Sequence, residues 1–165
     1  MIAVIGANTI DYFSYSKRLP MPGETMIGDS MMIGPGGKGA NQAAAAAKLG
    51  VPVCWFSKVG QLDRYKDMVL DGLTAAGVDI SAVEEEPGAF CGAGCVMINS
   101  ETGQNSIIIM HGANAAITPA YIDRHKDRIL QAKICMAEFQ VPPATAKYAL
   151  ALAGENGAMT ILNPA

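Results

Sequence analysis

Short apolar runs alternate with amphipathic segments along much of this 165-residue chain. Four of the apolar runs have the length of a buried strand, at 1–5, 53–59, 133–139 and 158–162. Four other segments have helical spacing of apolar residues or are rich in alanine, at 39–49, 64–76, 119–131 and 143–156. Continuous apolar runs are typical of strands that are buried on both faces. The alternation therefore predicts an α/β fold with a parallel sheet flanked by helices.

Two regions depart from this alternation and predict a small accessory sheet. They contain four short segments of mixed apolar and polar residues, at 12–18, 25–33, 93–99 and 105–110. The first two flank a turn rich in proline and glycine, and the last two flank a polar turn that ends at Gly103, as in a hairpin. We expect these segments to form a β lid, within about 12–33 and 93–110, that is inserted in a single α/β domain.

Charge and composition exclude several classes of function. Apolar residues make up 50% of the chain and charged residues 16%, which indicates a globular protein. The net charge is −3 and no basic run is present, which argues against nucleic acid or an anionic membrane as the partner. The N-terminal residues lack the pattern of a secretion signal, and no apolar stretch reaches the about 18 residues of a membrane-spanning helix. We therefore expect a cytoplasmic protein.

The cysteines do not have the spacing of a metal site. Four are present, at positions 54, 91, 95 and 135. No histidine or second cysteine pair accompanies the two that are closest in sequence. We interpret all four as small buried hydrophobes in a reducing compartment, and we predict no metal site in this chain.

The segment at 34–42, Gly-Pro-Gly-Gly-Lys-Gly-Ala-Asn-Gln, is the most informative stretch of the sequence. Its glycines allow the backbone to approach a ligand closely. The predicted helix that follows presents free N–H groups and the positive end of its dipole. Lys38 and Asn41 add a positive charge and an amide at the same place. The segment therefore suits an oxygen-rich ligand such as a sugar or a phosphate.

Other interpretations of this segment fit less well. A P-loop would require glycine where Met32 stands and serine or threonine where Gly39 stands. The glycine spacing also matches a dinucleotide-binding fingerprint, and a nicotinamide oxidoreductase is kept as an alternative. That fingerprint should follow the first strand of the fold, however, and here the first strand ends at Gly6. A purely structural turn would not account for a lysine and an asparagine at the open end of a helix.

The same segment, followed by an alanine-rich helix and Leu-Gly, resembles the N-terminal signature of the ribokinase-like (PfkB) carbohydrate kinases. Further segments resemble parts of that family in the same order, at 6–11, 19–25, 59–60, 112–114 and 162–165. The resemblance covers the whole chain. It implies the N-terminal half of an α/β kinase domain that transfers the γ-phosphoryl group of ATP to a hydroxyl of a sugar. The first candidate for this sugar is the pentose ribose.

The resemblance also implies a set of substrate-binding residues. These are Thr9, Asp11, Gly37, Lys38, Gly39, Asn41 and Gln140. Asp11 would accept hydrogen bonds from sugar hydroxyls, and Lys38 and Asn41 would hold other hydroxyls. Gln140 stands where the family usually has a glutamate, while Glu138 would point to the same side of a strand, so either could meet the substrate. Asn114 is a further candidate, with a capping or bridging role as its alternative.

Cofactors and partners follow from the same resemblance. It implies ATP and Mg²⁺, and a monovalent cation such as K⁺ as a further ion. The family's Gly-Ala-Gly-Asp segment, which carries the catalytic aspartate, and its Asn-x-x-Glu motif do not occur, so no catalytic residue or metal ligand is expected here. A homodimer through the lid is expected because residues 107–110 supply apolar side chains to both faces of a small sheet. The alternatives to a kinase of ribose are another sugar or nucleoside kinase of the family, or a sugar-binding module without phosphoryl transfer.

Overall fold

The structure is a computed structural model that describes residues 1–164. Its strands, in chain order, are β1 (Ile2–Ile5), β2 (Thr9–Ser16), β3 (Ser30–Gly36), β4 (Val53–Phe56), β5 (Lys58–Gly60), β6 (Glu84–Glu86), β7 (Gly92–Asn99), β8 (Asn105–Met110), β9 (Ile134–Glu138) and β10 (Met159–Asn163). Its helices are α1 (Lys38–Lys48), α2 (Lys66–Ala75), α3 (Pro119–Arg124), α4 (Lys126–Ile129) and α5 (Pro143–Glu155), with a 3₁₀ helix at Gly112–Ala116.

A four-stranded parallel sheet forms the centre of the fold, in the order β10-β9-β1-β4. One face packs against α3 and α5 through Ala3, Ile5, Ile122, Ala146 and Ala149. The opposite face packs against α1 and α2 through Val4, Trp55, Ala43, Val69 and Leu73. Adjacent residues of β1 thus enter different cores, because successive side chains of a strand point to opposite faces. The predicted parallel sheet flanked by helices is confirmed.

The second sheet also has four strands, in the order β3-β2-β7-β8. Its two central strands, β2 and β7, run parallel, and each pairs with an antiparallel strand at the edge. The first two strands of this sheet are displaced from the predicted positions. Strand β2 runs from Thr9 to Ser16 instead of over 12–18, and β3 runs from Ser30 to Gly36 instead of over 25–33. The displacement carries the sheet up to the start of α1.

Two predicted elements are divided in the structure. The apolar run at 53–59 forms two strands, and the second, β5, pairs in parallel with β6, a strand that was not predicted. Strand β6 consists of three glutamates. Lys58 on β5 forms ion pairs with two of them, with its Nζ 2.6 Å from Glu86 Oε2 and 3.5 Å from Glu84 Oε2. The predicted helix at 119–131 forms α3 and α4, which meet at His125.

The cysteine prediction was wrong at one position. Cys54, Cys91 and Cys135 are buried, as expected, but Cys95 is exposed. It lies on β7 in the second sheet, which has only part of its surface covered. No helix within residues 1–164 is both long and apolar enough to cross a lipid bilayer.

Candidate functional site

A pocket of about 160 Å³ lies where the second sheet meets the start of α1. Six predicted substrate-binding residues border it: Thr9, Asp11, Gly37, Lys38, Asn41 and Gln140. The other side of the pocket is apolar and is formed by Val96, Ile107 and Ile109 of the β7–β8 hairpin. Residues that are as far apart in sequence as 9 and 140 therefore share one cavity with a polar side and an apolar side.

The position of the Asp11 carboxylate depends on two glycines. A Cβ atom on Gly36 would overlap Asp11 Oδ2, and one on Gly94 would overlap Asp11 Oδ1. Gly94 is also the residue that pairs with Asp11 across β2 and β7. The carboxylate thus occupies space that exists only because both neighbours lack a side chain.

Gly37 gives the polypeptide its sharp entry into α1. Its φ angle is 98°, a conformation that favours glycine. A Cβ atom at this position would also lie 2.5 Å from Asn8 Cα and 2.6 Å from the Ala7 carbonyl oxygen. The loop after β1 and the start of α1 are held together here, since the amide of Ala40 donates to the Ala7 carbonyl oxygen at 3.0 Å.

Gly39 does not border the pocket, so its position does not indicate a direct role in binding. It is buried, and a Cβ atom on it would overlap the backbone of Gly6. Close packing of these two glycines brings the end of β1 against the first turn of α1. Gly39 therefore acts on the pocket only through the position of its neighbours.

Asn114 lies outside the pocket as well. It is buried, its Oδ1 accepts from the Asn8 amide at 3.1 Å, and its Nδ2 donates to the Asn8 carbonyl oxygen at 2.6 Å. Asn8 in turn donates from Nδ2 to the Lys58 carbonyl oxygen at 2.7 Å. This arrangement matches the bridging alternative for Asn114. Asn8 was not among the predicted site residues, although it stands next to Thr9 in the segment 6–11.

Glu138 is completely buried and faces the backbone instead of the pocket. One carboxylate oxygen accepts from the Ala7 amide at 2.7 Å, and the other accepts from the Gln140 amide at 2.5 Å. Gln140 borders the pocket, and its Oε1 accepts from the Lys38 amide at 2.8 Å. The two residues therefore connect the ends of β1 and β9 to the start of α1.

Several polar side chains of the pocket have no partner in the described part of the chain. Within residues 1–164, the side chains of Asp11, Lys38 and Asn41 make no hydrogen bond or ion pair. Asp11 offers only acceptors, Lys38 offers only donors, and the amide of Asn41 offers both. A neutral molecule with several hydroxyl groups can satisfy all three, while its C–H groups contact the apolar side.

Fold and pocket together are typical of an α/β protein that binds a small, oxygen-rich molecule beside a helix start. The chain belongs to the pfkB family carbohydrate kinases, whose family model matches residues 1–165. The resemblance of the glycine-rich segment to this family is thereby confirmed.

The curated relatives are considerably longer than this chain. The chain is 36% identical to the deoxyribokinase of Salmonella typhi over 164 residues, which is 99% of this chain and 53% of that protein. It is 37% identical to the ribokinase of Bacillus subtilis, again over 99% of this chain and 55% of that protein. The chain thus spans about half the length of the curated relatives that it matches.

A solved structure shows the same architecture. The Arabidopsis thaliana ribokinase in complex with ribose and ATP superposes with a TM-score of 0.86 and is 30% identical in sequence. The match covers 98% of this chain and 52% of that one.

Proposed function

We propose that the protein containing these residues is an ATP-dependent sugar kinase that phosphorylates a hydroxyl of a pentose, with ribose as the first candidate. The observation that carries this proposal is the pocket in which the side chains of Asp11, Lys38 and Asn41 face one cavity without a partner among residues 1–164. Support comes from the family and from the Arabidopsis relative, whose structure is a complex with ribose and ATP.

Each residue of the pocket has a distinct task in this proposal. The Asp11 carboxylate accepts hydrogen bonds from two sugar hydroxyls, and these are stronger than bonds between neutral groups. Lys38 and Asn41 donate to further sugar oxygens, and Thr9 stands beside Asp11. Gly37 keeps the backbone close to the sugar. The apolar wall of the β7–β8 hairpin excludes water from one side of the ring.

In this proposal the nucleotide binds to another part of the protein, which corresponds to the half of the relatives that this chain does not cover. Phosphoryl transfer requires a bound triphosphate and a group that accepts the proton of the attacking hydroxyl, and Mg²⁺ would neutralise charge on the phosphate oxygens. Residues 1–164 bring no three His, Cys, Asp or Glu side chains together as a metal cluster. In this proposal the described residues position the acceptor sugar, and ATP, Mg²⁺ and K⁺ bind elsewhere in the protein.

We further propose that the protein is a homodimer through the second sheet. The side chains of Ile107, Ile108, Ile109 and Met110 on β8 are all exposed in the single chain. Exposed apolar strands at the edge of a sheet favour association. Sedimentation at low micromolar concentration would show a dimer, and a monomer would contradict this part of the proposal.

A deoxypentose is the second candidate substrate. The wall formed by Val96, Ile107 and Ile109 suits a sugar face that carries fewer hydroxyls. The deoxyribokinase relative at 36% identity supports the same candidate. A comparison of kcat/KM for ribose with kcat/KM for 2-deoxyribose would show which of the two candidates the enzyme prefers.

The test is an ADP-release assay on the natural gene product that contains these residues. Ribose, 2-deoxyribose, hexoses and nucleosides would be compared with ATP and Mg²⁺ present. The proposal expects the highest kcat/KM for a pentose. Preference for a hexose or a nucleoside would identify another kinase of the family, whereas sugar binding without ADP release would identify a sugar-binding module.

A further inference from the structure

Asn8 stands where the second sheet is attached to the rest of the fold. Within residues 1–164 the chain passes between the two parts four times: after β1, after β3, before β7 and after β8. Asn8 lies in the first passage, and a Cβ atom on Gly37, in the second, would lie 2.5 Å from Asn8 Cα. A Cβ atom on Gly92, which begins β7, would lie 2.5 Å from the Asn8 carbonyl oxygen, and Asn114 in the last passage bonds to Asn8.

A single side chain holds the backbone of Asn8 on both sides. Asn114 Oδ1 accepts from the Asn8 amide at 3.1 Å, and Asn114 Nδ2 donates to the Asn8 carbonyl oxygen at 2.6 Å. Both residues are buried, so these bonds are costly to lose. A Cβ atom on Gly92 would overlap Asn114 Nδ2, so the absence of a side chain there leaves room for the bond.

The Asn8 carbonyl group belongs to the peptide that leads into the pocket. The next residue, Thr9, is the first residue of β2 and pairs with Gly92 across β2 and β7. Thr9 and Asp11 both border the pocket, since alternate residues of a strand point to the same side. A movement of the Asn8–Thr9 peptide would therefore shift the groups that face the sugar.

We propose that Asn114 is a positioning residue for the sugar, which fixes the Asn8–Thr9 peptide so that Thr9 and Asp11 face the sugar hydroxyls. This inference rests on the proposed function of the pocket. Asn114 does not border the pocket, so it acts on the sugar only through these neighbours. Its disturbance should weaken the binding of the sugar and leave the binding of ATP unaffected, because the nucleotide binds elsewhere in the protein.

The variant Asn114→Asp changes one contact of this arrangement. One carboxylate oxygen can still accept from the Asn8 amide, but the other replaces the donor Nδ2 by an acceptor that faces the Asn8 carbonyl oxygen. Two acceptors repel each other, so the Asn8–Thr9 peptide should move. We expect KM for ribose to rise by about tenfold at about pH 8, while kcat and KM for ATP stay within about twofold of the wild type.

The separation of KM from kcat distinguishes positioning from a purely structural role. A destabilised variant contains fewer folded molecules, so its apparent kcat falls while the KM of the folded molecules is unchanged. A change in the position of the sugar-binding groups instead alters KM for the sugar in every molecule.

Protonation of the new carboxyl group provides a second readout. The protonated form has an O–H group that can donate to the Asn8 carbonyl oxygen, as Nδ2 does in the wild type. Burial raises the pKa of a carboxyl group above its ordinary value of about 3.9, so the bond should return in mildly acidic solution. The ratio of variant to wild-type KM for ribose should therefore fall as the pH is lowered from about 8 to about 5.5.

Asn156→Asp is the matched control. Asn156 Nδ2 donates to the Leu152 carbonyl oxygen at 2.9 Å, so a bond of the same kind is lost, but at an exposed position away from the pocket. Its KM for ribose should equal that of the wild type. If Asn114→Asp does not fold, Asn114→Ser replaces it, because the short serine side chain cannot reach both the amide and the carbonyl group of Asn8. The same rise in KM is expected for it, at both pH values.

The experiment is steady-state kinetics of the natural gene product and its variants with ribose and ATP, at about pH 8 and about pH 5.5. A higher KM for ribose at unchanged kcat, which recovers in acid for Asn114→Asp, supports the inference. An unchanged KM for ribose, with or without a fall in kcat, or a rise in the KM of Asn114→Asp that acid does not reverse, overturns it. If the wild type phosphorylates neither ribose nor 2-deoxyribose, the proposed function has failed instead, and the two failures are distinguishable.

Discussion

The Asp11 carboxylate lies in the space that a side chain at position 94 would occupy. The two residues pair across β2 and β7, and a Cβ atom on Gly94 would overlap Asp11 Oδ1 and lie 3.1 Å from Asp11 Cγ. A backbone position in the second sheet thus decides where the principal acceptor of the pocket stands.

Gly94→Ala is expected to displace the Asp11 carboxylate and to weaken ribose binding by about tenfold or more. Overpacking at such a site should also lower the free energy of unfolding by about 1–3 kcal/mol. Gly34→Ala is the matched control, because Gly34 pairs with Asp11 from β3 and its Cβ atom would lie at an ordinary 3.7 Å from Phe13 Cε2. Titration with ribose checks both variants, and equal affinities for them would contradict the prediction.

Glu138→Gln should reduce stability although the two side chains have nearly the same shape. The buried carboxylate accepts from two backbone amides, those of Ala7 and Gln140, and glutamine has only one oxygen to replace both acceptors. We expect the free energy of unfolding to fall by about 1–3 kcal/mol, the cost of leaving a buried group unpaired. Urea denaturation would measure it, with the exposed Glu101→Gln as control. A loss no larger than that of the control would show that the second bond is unimportant.

Glu84 should make the protein sensitive to acid. Hydrogen bonding from Arg124 holds the pKa of Glu84 at about 2, below its ordinary value of 4.5, and contact with His125 acts in the same direction. A lowered pKa in the folded state means that the ionised group stabilises the fold above about pH 4.5 and that this contribution is lost as the pH falls towards 2. The ion pairs are partly exposed, so the effect should be modest.

The measurement is the free energy of unfolding of wild type and Glu84→Gln at a series of acid pH values. The wild type should lose more stability than the variant between about pH 5 and about pH 2.5. Parallel curves for the two proteins would mean that Glu84 does not contribute to the acid response.

The central sheet was predictable from the sequence because its strands are buried on both faces, which produces continuous apolar runs. Strand β6 was not, since three consecutive glutamates carry no strand signal. Its pairing depends on Lys58, which lies more than twenty residues earlier in the chain. Local propensity cannot report an ion pair of this kind.

The pocket was predictable only in part, for a similar reason. Lys38 and Asn41 were predicted because they stand in a glycine-rich segment at the start of a helix, and Asp11 was predicted from the resemblance to the family. Gln140 also borders the pocket, but its bond to the Lys38 amide spans 102 positions and could not be deduced from spacing. The bridging role of Asn114 likewise depends on a distant partner, Asn8.

In the proposed function the Asp11 carboxylate binds the sugar hydroxyls, and the variant Asp11→Ala removes this contact. Two charge-assisted hydrogen bonds would be lost, at about 1.5–3 kcal/mol each, so kcat/KM for ribose should fall by about 100-fold or more. Because the side chain of Asp11 makes no hydrogen bond within residues 1–164, its removal should change the melting temperature little. The decisive measurement is kcat/KM of the natural gene product and this variant with ribose and 2-deoxyribose. We expect a loss of that size in an intact fold, whereas unchanged kinetics with both sugars would show that Asp11 does not bind the substrate.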